Sequence, residues 1–339
     1  MSLRIVLDAM GTDDAPKQDV RGALEALKQT EPDRFSLVLV GDVDRIEREL
    51  SGVGTNLRDR IDLRQADEVI AMDAEPAQAV RRGQKSSIVV GLRMQADNEA
   101  DAFVSAGNTG AVMAASTLIL GRVAGVSRPT IASQFPTAKG FTIIADVGAN
   151  VDTKPSHLYE FAVMTSIYAE EIFGLVQPTV GLLNVGEESS KGEERAVETH
   201  GLLAASDLNF IGNVEGRDIF ADGAQVIICD GFVGNILLKF AESINGLLRA
   251  KLTDYADTGL GPKLRVGVAR STLRDVFRQM NYEEYGGVPL LGVDGVSIIG
   301  HGGSSSRAIT AMILKAEEMV RKDVNGRIAR AELKRRPPV

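Results

Sequence analysis

One stretch of the sequence, residues 141–155, limits what the surrounding chain can fold into. It begins as the apolar run Phe-Thr-Ile-Ile-Ala and then changes abruptly to Asp146, glycine and an amide before Pro155. This pattern is typical of a strand that enters a turn, and proline suits the first turn of a helix because its missing N–H would have no acceptor there. In an open α/β sheet such turns form the ligand crevice, where helix N-termini attract anions. From this stretch alone, a purely structural turn capped by Asp146 is the alternative.

The same change recurs wherever an apolar run stops. Each instance puts glycine and a short polar residue between a predicted strand and a predicted helix, and glycine allows both a positive φ and a close approach of the backbone to a ligand. With the first stretch, six such loops at one edge of a sheet would form a polar pocket. The other five are residues 8–11, 105–110, 184–186, 230–235 and 301–305.

The composition fits one large α/β unit or two lobes. With 339 residues and 44% hydrophobic content the chain can bury a sizeable core, and 35 glycines suit many tight turns. Strands predicted at 3–7 and 35–40, with a helix from Pro16 between them, indicate a βαβ unit. We therefore predict a single three-layer α/β/α domain over residues 1–339 with a mostly parallel sheet. A basic helical insertion is expected at about 247–280 and a basic tail at about 323–339.

The formal net charge of −8 is unevenly distributed along the chain. Residues 249–278 hold seven Lys and Arg against three Asp, and residues 315–339 hold eight against four acids. The acidic balance, with an aromatic content of 5% and no Trp, argues against a nucleic-acid partner. A single cysteine, no apolar run long enough for a membrane span and no signal-peptide pattern predict a cytoplasmic protein.

Several catalytic classes can be set aside from the motifs. Cys229 ends a Val-Ile-Ile run and is expected to be buried, and no Gly-x-Ser-x-Gly elbow is present. His157, His200 and His301 do not form a zinc pattern, and neither the Gly-x-Gly-x-x-Gly pattern after the first strand nor the P-loop pattern occurs. What remains is a pocket of helix N-termini, amides, hydroxyls, carboxylates and a lysine. Such a pocket suits transfer to or from phosphate without a covalent enzyme intermediate, and we expect no cofactor and no metal.

Ordered motifs extend along nearly the whole chain. They are Asp8-Ala-Met-Gly, Ser105-Ala-Gly-Asn-Thr-Gly-Ala, Asp146-Val-Gly-Ala-Asn-Val-Asp, Lys154-Pro, Asn184-Val-Gly-Glu-Glu, Lys191-Gly, Phe210-Ile-Gly-Asn-Val-Glu-Gly, Asp230-Gly-Phe-Val-Gly-Asn-Ile and Tyr285-Gly-Gly. Through them the chain resembles the PlsX family of phosphate acyltransferases. The resemblance implies an enzyme that moves a long-chain acyl group from acyl-acyl-carrier protein to inorganic phosphate, giving acyl phosphate for bacterial phospholipid synthesis. It also implies a Rossmann-like fold related to phosphotransacetylases and isocitrate-dehydrogenase-like enzymes, a homodimer and peripheral association with the membrane.

By position, the resemblance implies catalytic roles for Lys191 and Asn235. A phosphate oxygen would attack the thioester carbonyl, and Lys191 with loop N–H groups would offset the charge on phosphate and on the tetrahedral oxyanion. The leaving thiolate has an unperturbed pKa of about 8.5, so a strong general acid is hardly needed. The resemblance places these other loop residues in the phosphate cleft: Asp8, Gly11, Ser105, Asn108, Thr109, Asp146, Asn150, Lys154, Asp230, His301 and Ser304.

Three positions depart from the family pattern. The opening motif of the family usually has a second glycine and a histidine, where this chain has Thr12 and Asp14. Near its end the family usually has His-Gly-Arg-Ser, where this chain has Gly303 in place of the arginine. An essential role for that histidine or arginine is therefore not expected here, and phosphate binding could be weaker.

The segment 249–280 predicts an amphipathic helix with a basic stripe. Apolar residues at positions 269, 273, 276, 277 and 280 share one helical face, and arginines run beside it. We expect this surface to receive an acidic carrier protein or an anionic membrane, with one leucine in a turn between two helices inserted into lipid. A helix that buries its apolar face against the body or a dimer mate is the alternative. The residues expected at the surface are Leu260, Lys263, Arg265, Arg270, Arg274 and Arg278.

Three other functions remain open from the sequence. One is a phosphotransacetylase that acts on short acyl-coenzyme A, and another is a nicotinamide-dependent decarboxylating dehydrogenase of the related fold. The third is a non-enzymatic scaffold that is recruited to membranes through the basic segment.

Overall fold

The computed structural model describes the backbone of residues 2–279 and 286–331, and the side chains of these except 245, 274, 275 and 277–279. The strands are β1 (Leu3–Asp8), β2 (Phe35–Gly41), β3 (Ile61–Gln65), β4 (Ala102–Ser105), β5 (Thr130–Thr137), β6 (Gly140–Ala145), β7 (Val180–Leu183), β8 (Phe210–Val214), β9 (Val226–Ile228), β10 (Val288–Leu291) and β11 (Val296–Ile299). The helices are α1 (Lys17–Lys28), α2 (Val43–Glu49), α3 (Thr55–Arg58), α4 (Pro76–Arg82), α5 (Ser87–Ala96), α6 (Thr109–Ile119), α7 (Pro155–Phe173), α8 (Glu194–Ala204), α9 (Gly231–Asp257), α10 (Leu260–Gln279), α11 (Ser306–Arg321) and α12 (Val324–Arg330).

The strands form one mixed sheet in the order β3-β2-β1-β4-β11-β10-β5-β6-β9-β7-β8. Neighbouring strands are parallel except in the three antiparallel pairs β11–β10, β10–β5 and β5–β6. Strands β10 and β5 thus join the two halves of the sheet. Central parallel strands are covered on both faces, which explains why β1 reads as a continuous apolar run. Its residues Ile5, Val6 and Leu7 are fully buried. The predicted mostly parallel α/β sheet is confirmed.

The two halves of the sheet run in opposite directions. Strands β1 to β4 and β11 point one way, and β6 to β9 point the other way, because three antiparallel pairings lie between them. Ile299, the last residue of β11, pairs with Val288, and Ala145, the last residue of β6, pairs with Ala132. Leu290 of β10 pairs with Ile131 of β5, and Val288 and Ala132 lie within two residues of that pair. The carboxyl ends of β11 and β6 therefore lie at nearly the same height along the strand direction. The expectation that all six polar loops share one edge is therefore wrong: three approach a central cleft from each side.

Helices cover both faces of the sheet. Ile5 and Leu7 of β1 belong to the apolar cluster that also contains Phe161 of α7, whereas Val6 belongs to the cluster that contains Leu92 of α5. This division follows from the alternation of side chains along a strand. The helices α1, α7 and α11 lie on the first face and α5 and α6 on the second, which gives the predicted three layers.

Helices α9 and α10 form a hairpin that extends from the cleft. The 27 residues of α9 run unbroken from Gly231, and α10 packs mainly against α9. The basic segment predicted from residue 247 is thus the outer part of α9 together with α10. Position 280, the tyrosine of the Tyr285-Gly-Gly motif and the tail beyond 331 lie outside the described residues. Among the helices described, none is long and apolar enough to cross a membrane.

Candidate active site

A cavity of about 720 Å³ occupies the cleft where the two sets of strand ends face each other. Its floor is formed by β5, β10 and β11, its walls by α6 and α9, and its rim by the turn after β6 and the loop after β11. Four residues predicted for the site belong to the lining. The lining comprises Thr109, Gly110, Met113, Ile131, Ser133, Gln134, Val147, Gly148, Asn235, Leu238, Lys239, Glu242, Gly287, Val288, Ile299, Gly300, His301, Gly303, Ser304 and Ala308.

The turn after β6 is organised by the buried side chain of Asp146. Its carboxylate accepts hydrogen bonds from the backbone N–H groups of Ile131 (3.1 Å), Ala149 (3.1 Å) and Asn150 (2.6 Å), and from the Asn150 amide (2.9 Å). Burial raises the pKa of Asp146, and these hydrogen bonds oppose the rise. The Asn150 amide also donates to the carbonyl oxygen of Pro129 at 2.7 Å. Asp146 and Asn150 hold the turn in place and lie outside the cavity lining.

The start of α9 packs directly on this turn because glycine occupies two positions there. A Cβ added at Gly234 would lie 1.9 Å from the carbonyl oxygen of Asp146, and one added at Gly231 would lie 2.7 Å from its carboxylate. The close contact brings Asn235 beside Gly148, whose φ of 136° is one that side chains rarely allow. An amide side chain is thereby placed at the end of β6, on the cavity wall.

Asp230 caps α9 and also pairs with an arginine. Its Oδ1 accepts hydrogen bonds from the N–H groups of Phe232 (2.9 Å) and Val233 (3.0 Å), and its Oδ2 accepts one from the Arg195 guanidinium at 3.0 Å. Arg195 also donates to Thr153 Oγ1 at 2.9 Å, so it ties α8 to the loop before α7. Sequence reasoning missed Arg195, because an arginine among acidic residues has no distinguishing local pattern.

The start of α6 offers free backbone donors to the cavity. Asn108 caps the helix, since its Oδ1 accepts from the N–H of Ala111 at 2.9 Å, and its Nδ2 donates to three carbonyl oxygens in the segment 71–74. Thr109 and Gly110 take the first two helical positions, where N–H groups have no intrahelical acceptor. Both residues line the cavity, so this helix N-terminus faces it.

The loop after β1 lies against the loop after β4, and Asp8 joins them. Ser105 Oγ donates to Asp8 Oδ2 at 2.7 Å, and the N–H of Met10 donates to Oδ1 at 3.0 Å. Burial raises the pKa of Asp8, and the bond from Ser105 opposes the rise. A Cβ at Gly11 would lie 2.7 Å from the nitrogen of Gly107, so glycine lets the loops touch. Asp8 and Gly11 line a second cavity of about 170 Å³.

Thr12, one of the three departures from the family pattern, forms a hydrogen bond with the buried acidic residue Asp19 beneath this loop. Its hydroxyl donates to Asp19 Oδ2 at 2.5 Å. Asp19 is fully buried, and its Oδ1 has no hydrogen-bond partner within the described residues. Burial raises the pKa of Asp19 to about 7, the bond from Thr12 opposes the rise, and the charge of Asp8 adds to it. Asp14, the second departure, is exposed.

The loop after β11 is held by its own polar groups. The N–H of His301 donates to Ser304 Oγ, and the N–H of Gly303 donates to His301 Nδ1, both at 3.2 Å. The N–H of Asp13 donates to the carbonyl oxygen of Gly302 at 2.7 Å, which links this loop to the loop after β1. A Cβ at Gly303 would meet its nearest neighbour at 3.5 Å, so the rim has room for a larger side chain there.

Lys191 and Lys154 lie in exposed loops outside the cavity lining. The loop that carries Lys191 has a fixed backbone, because its N–H donates to the carbonyl oxygen of Glu188 at 3.0 Å and its own carbonyl oxygen accepts from the Asn184 amide at 2.9 Å. Lys154 directly precedes α7, which begins at Pro155 as predicted. The structure therefore brings Thr109, Asn235, His301 and Ser304 together in the cavity lining, whereas both lysines lie on exposed loops outside that lining.

Two charged residues of the lining, Lys239 and Glu242, were missed by sequence reasoning. They lie on α9 about one and two turns beyond Asn235. Burial raises the pKa of Glu242, and the positive charges of His301 and Lys239 oppose the rise. Nothing in a helical stretch of mixed residues marks the face that will meet a cavity. That face follows only from the docking of α9 on the turn after β6.

These groups together can hold an anion. The free N–H groups at the start of α6, the Asn235 amide, the His301 imidazole and the Lys239 ammonium all border one cavity. Apolar side chains from α6, α9 and the sheet complete the same lining. The arrangement suits a substrate with one anionic part and one apolar part.

Comparison with known proteins identifies the family. Residues 3–327 match the family model described as "Fatty acid synthesis protein". The chain belongs to this fatty acid synthesis protein family. Its curated relatives include "Phosphate acyltransferase" of Chlorobaculum parvum, 48% identical over 339 residues that cover 96% of this chain and 98% of that one. A protein of the same name from Heliobacterium modesticaldum is 47% identical over 321 residues, 95% of each chain. The predicted PlsX family is confirmed.

Solved structures of other proteins share this fold. A phosphotransacetylase from Streptococcus pyogenes superposes with a TM-score of 0.62 at 16% identity, covering 95% of this chain and 94% of that one. A branched-chain phosphotransacylase from Enterococcus faecalis gives a TM-score of 0.58 at 11% identity, covering 94% and 99%. The predicted phosphotransacetylase-like architecture is therefore confirmed.

Proposed function

We propose that this member of the fatty acid synthesis protein family transfers a long-chain acyl group from acyl-acyl-carrier protein to inorganic phosphate, which supplies acyl phosphate for phospholipid synthesis. The relatives are named phosphate acyltransferases, which supports an acyltransferase with phosphate as acceptor. The observation that carries the proposal is the mixed lining of the cavity, where anion-binding groups adjoin apolar side chains. A phosphate and a fatty acyl tail need these two environments side by side.

In this reaction an oxygen of phosphate attacks the thioester carbonyl carbon and a tetrahedral oxyanion forms. The C–S bond then breaks, and acyl phosphate and the carrier-protein thiolate are released. We assign the phosphate to the start of α6, the Asn235 amide and the His301 imidazole, with positive charge supplied by Lys239 of the lining and by Lys191 on the loop after β7. A thiolate with an ordinary pKa of about 8.5 leaves without a strong general acid.

The test is a comparison of donors with purified protein. Palmitoyl-carrier protein, acetyl-coenzyme A and isopropylmalate with NAD are each supplied with and without phosphate. We expect phosphate-dependent release of free carrier protein from the first donor only. Activity confined to acetyl-coenzyme A would favour a short-chain phosphotransacetylase, and thioester cleavage without phosphate would contradict the proposal.

We assign a homodimer interface to the exposed apolar stripe of α9. Phe232, Ile236, Phe240 and Leu247 are each more than half exposed and fall on one face of the helix. A contiguous apolar stripe of this kind usually marks an interaction site. Phe240→Glu should convert a dimer to a monomer in sedimentation velocity, whereas a monomeric wild-type protein would refute the assignment.

We assign peripheral contact with an anionic membrane to α10. Leu260, Leu264 and Val268 recur at four-residue intervals and are strongly exposed, and Lys263 and Arg265 are exposed beside them. The backbone of α10 carries the other three predicted arginines; the 270 side chain is exposed, and those of 274 and 278 lie outside the described side chains.

The membrane assignment is tested with vesicles that contain phosphatidylglycerol. The double variant Leu260→Ser, Leu264→Ser should lose at least about tenfold in vesicle affinity, because two leucines no longer leave water, while KM for acyl-carrier protein stays unchanged. Unchanged vesicle binding with a raised KM would assign the surface to the carrier protein instead.

A further inference from the structure

The side chain of Arg195 joins three loops at one side of the cleft. Its guanidinium donates to Thr153 Oγ1 at 2.9 Å, in the loop after β6, and to Asp230 Oδ2 at 3.0 Å, directly before α9. Arg195 is itself the second residue of α8, which follows the loop after β7. Its side chain is only 25% exposed, so these contacts are largely protected from water. One residue therefore holds the loops after β6, β7 and β9 together.

Among the described residues, Arg195 is also the cation that pairs with Asp230. The side chain of Asp230 is 10% exposed, so water screens its charge little. Its Oδ1 accepts from two N–H groups of α9, and its Oδ2 accepts from Arg195. Glu193 pairs with Arg195 as well, but its side chain is 63% exposed and water screens its charge. Removal of Arg195 would therefore leave the start of α9 beside the uncompensated charge of a shielded carboxylate.

This pairing decides the sign of the charge at the start of α9. The first N–H groups of a helix act like about half a positive charge. Asp230 adds a full negative charge and Arg195 a full positive one, so the sum is about +0.5 with Arg195 and about −0.5 without it. Asp146, which also lies beside Gly231, has four hydrogen-bond donors of its own and contributes equally in both cases. The start of α9 thus attracts an anion only while Arg195 is paired with Asp230.

The site proposed for phosphate lies within reach of this charge. Asn235 follows Asp230 by five residues, which places it about 7.5 Å further along α9 at a rise of about 1.5 Å per residue. The side chain of Asn235 borders the cavity. Salt screens exposed charges over about 8 Å at physiological ionic strength, and it screens partly buried charges less. A phosphate beside Asn235 would therefore respond to the charge that Arg195 carries.

We propose that Arg195 is a positioning residue for phosphate, which pairs with Asp230 and so keeps the start of α9 positive beside Asn235. The inference rests on the proposed acyl transfer to phosphate. It adds the residue that lets α9, together with α6, attract the acceptor, and it gives the carboxylate of Asp230 a partner whose loss would weaken phosphate binding.

The first test measures KM for phosphate with palmitoyl-carrier protein as the donor. Arg195→Met should raise it at least about tenfold at low ionic strength, and added salt should reduce the difference because the effect is electrostatic. Arg195→Lys keeps the charge and should raise KM much less. KM for the carrier protein should stay unchanged in both variants. The matched control is Arg64→Met, which removes an exposed ion pair with Glu99 in the other half of the sheet and should leave both KM values unchanged.

A substitution of the carboxylate separates the charge of Arg195 from its contacts. Asp230→Asn keeps an oxygen that can cap α9 but carries no charge. Combined with Arg195→Met it should restore most of the affinity for phosphate, and alone it should lower KM for phosphate, which keeps the inference testable if Arg195→Met does not fold. Equal losses in Arg195→Met and Arg195→Lys, with no recovery in the double variant, would show that Arg195 only holds the loops. An unchanged or raised KM in Asp230→Asn would also count against the inference.

The second test measures binding without turnover, by calorimetric titration with inorganic phosphate. Arg195→Met should weaken phosphate binding by about the same factor as it raises KM, and Arg64→Met should not change it. Equal affinity of the wild-type protein and Arg195→Met would overturn the inference even where the acyl transfer is observed. Weaker binding in Arg195→Met, in a protein without phosphate-dependent acyl transfer, would support the role of Arg195 and refute the proposed function.

Discussion

Replacing Asp19 by Asn should stabilise the protein above neutral pH and change little at acid pH. Asp19 is fully buried under the loop after β1, accepts one hydrogen bond from Thr12, and has a second oxygen without a partner in the described chain. Burial raises its pKa from 3.8 to about 7, with the bond from Thr12 opposing the rise and the charge of Asp8 adding to it. The folded protein therefore keeps a proton that the unfolded chain releases.

The sign and size of the effect follow from that difference. Because the folded pKa is raised, the stability contributed by the proton is complete below about pH 4 and is lost as the pH rises to about 7. A shift of about three units at 1.36 kcal/mol each gives about 4 kcal/mol as an upper bound, since Asp8 titrates with Asp19. Asn carries no ionisable proton, so the variant avoids this loss. Between pH 5 and pH 8 its advantage over the wild-type protein should grow by about 2–3 kcal/mol.

Urea denaturation at pH 5 and pH 8 measures this advantage as a difference in the free energy of unfolding. The control is Asp14→Asn, an exposed position five residues earlier, where we expect a change within about 0.5 kcal/mol at both pH values. An Asp19→Asn variant that is less stable than the wild-type protein at pH 8, or equally shifted at both pH values, would show that Asp19 is not a buried, protonated acid.

Three further predictions concern the cleft. Gly234→Ala should destabilise the fold by at least about 3 kcal/mol, because the added Cβ would lie 1.9 Å from a carbonyl oxygen. The control is Gly246→Ala on the same helix, where the added Cβ meets open space and should stabilise the fold by about 0.5–1 kcal/mol. The midpoints of urea denaturation of the two variants and the wild-type protein measure both effects. Burial raises the pKa of the Cys229 thiol well above its ordinary value, so a disulfide reagent should react with it only on unfolding, and prompt reaction with the native protein would contradict this. Lys191→Met and Asn235→Ala should each lower turnover at least about tenfold with an unchanged melting temperature. Near-normal rates in both variants would show that the active site lies elsewhere.

Local features of the fold could be predicted because their causes are local. Apolar runs predicted the buried strands, and Pro155 marked the start of α7. Asn108 lay in a motif between strand and helix, and it caps α6. The opposed directions of the two halves of the sheet could not be predicted in this way. They depend on pairings between segments far apart in sequence, such as Leu290 with Ile131, and no local pattern specifies those pairings.

The same difference between local and long-range causes separates the candidate site residues that could be predicted from those that could not. The motifs identified Thr109, Asn235 and His301, which border the cavity, because glycine-rich loops at strand ends are visible in sequence. Lys239 and Glu242 were missed, since their place in the cavity depends on the docking of α9. Which side chain of a loop faces the cleft is a tertiary property, and the motif alone does not decide it.

Hydrogen bonds, an ion pair and burial limit the negative charge of the motif carboxylates, which explains how a cleft with several acidic motifs could still bind phosphate. A bare carboxylate beside a phosphate would repel it, and the repulsion would be strong in a cavity from which water is excluded. Asp146 faces four hydrogen-bond donors, and Asp230 faces two N–H groups and Arg195. Asp8 accepts bonds from a hydroxyl and an N–H group while burial raises its pKa. The acids of the motifs thus shape the loops with their charge either matched or weakened, and the N–H groups at the start of α6 remain for the anion.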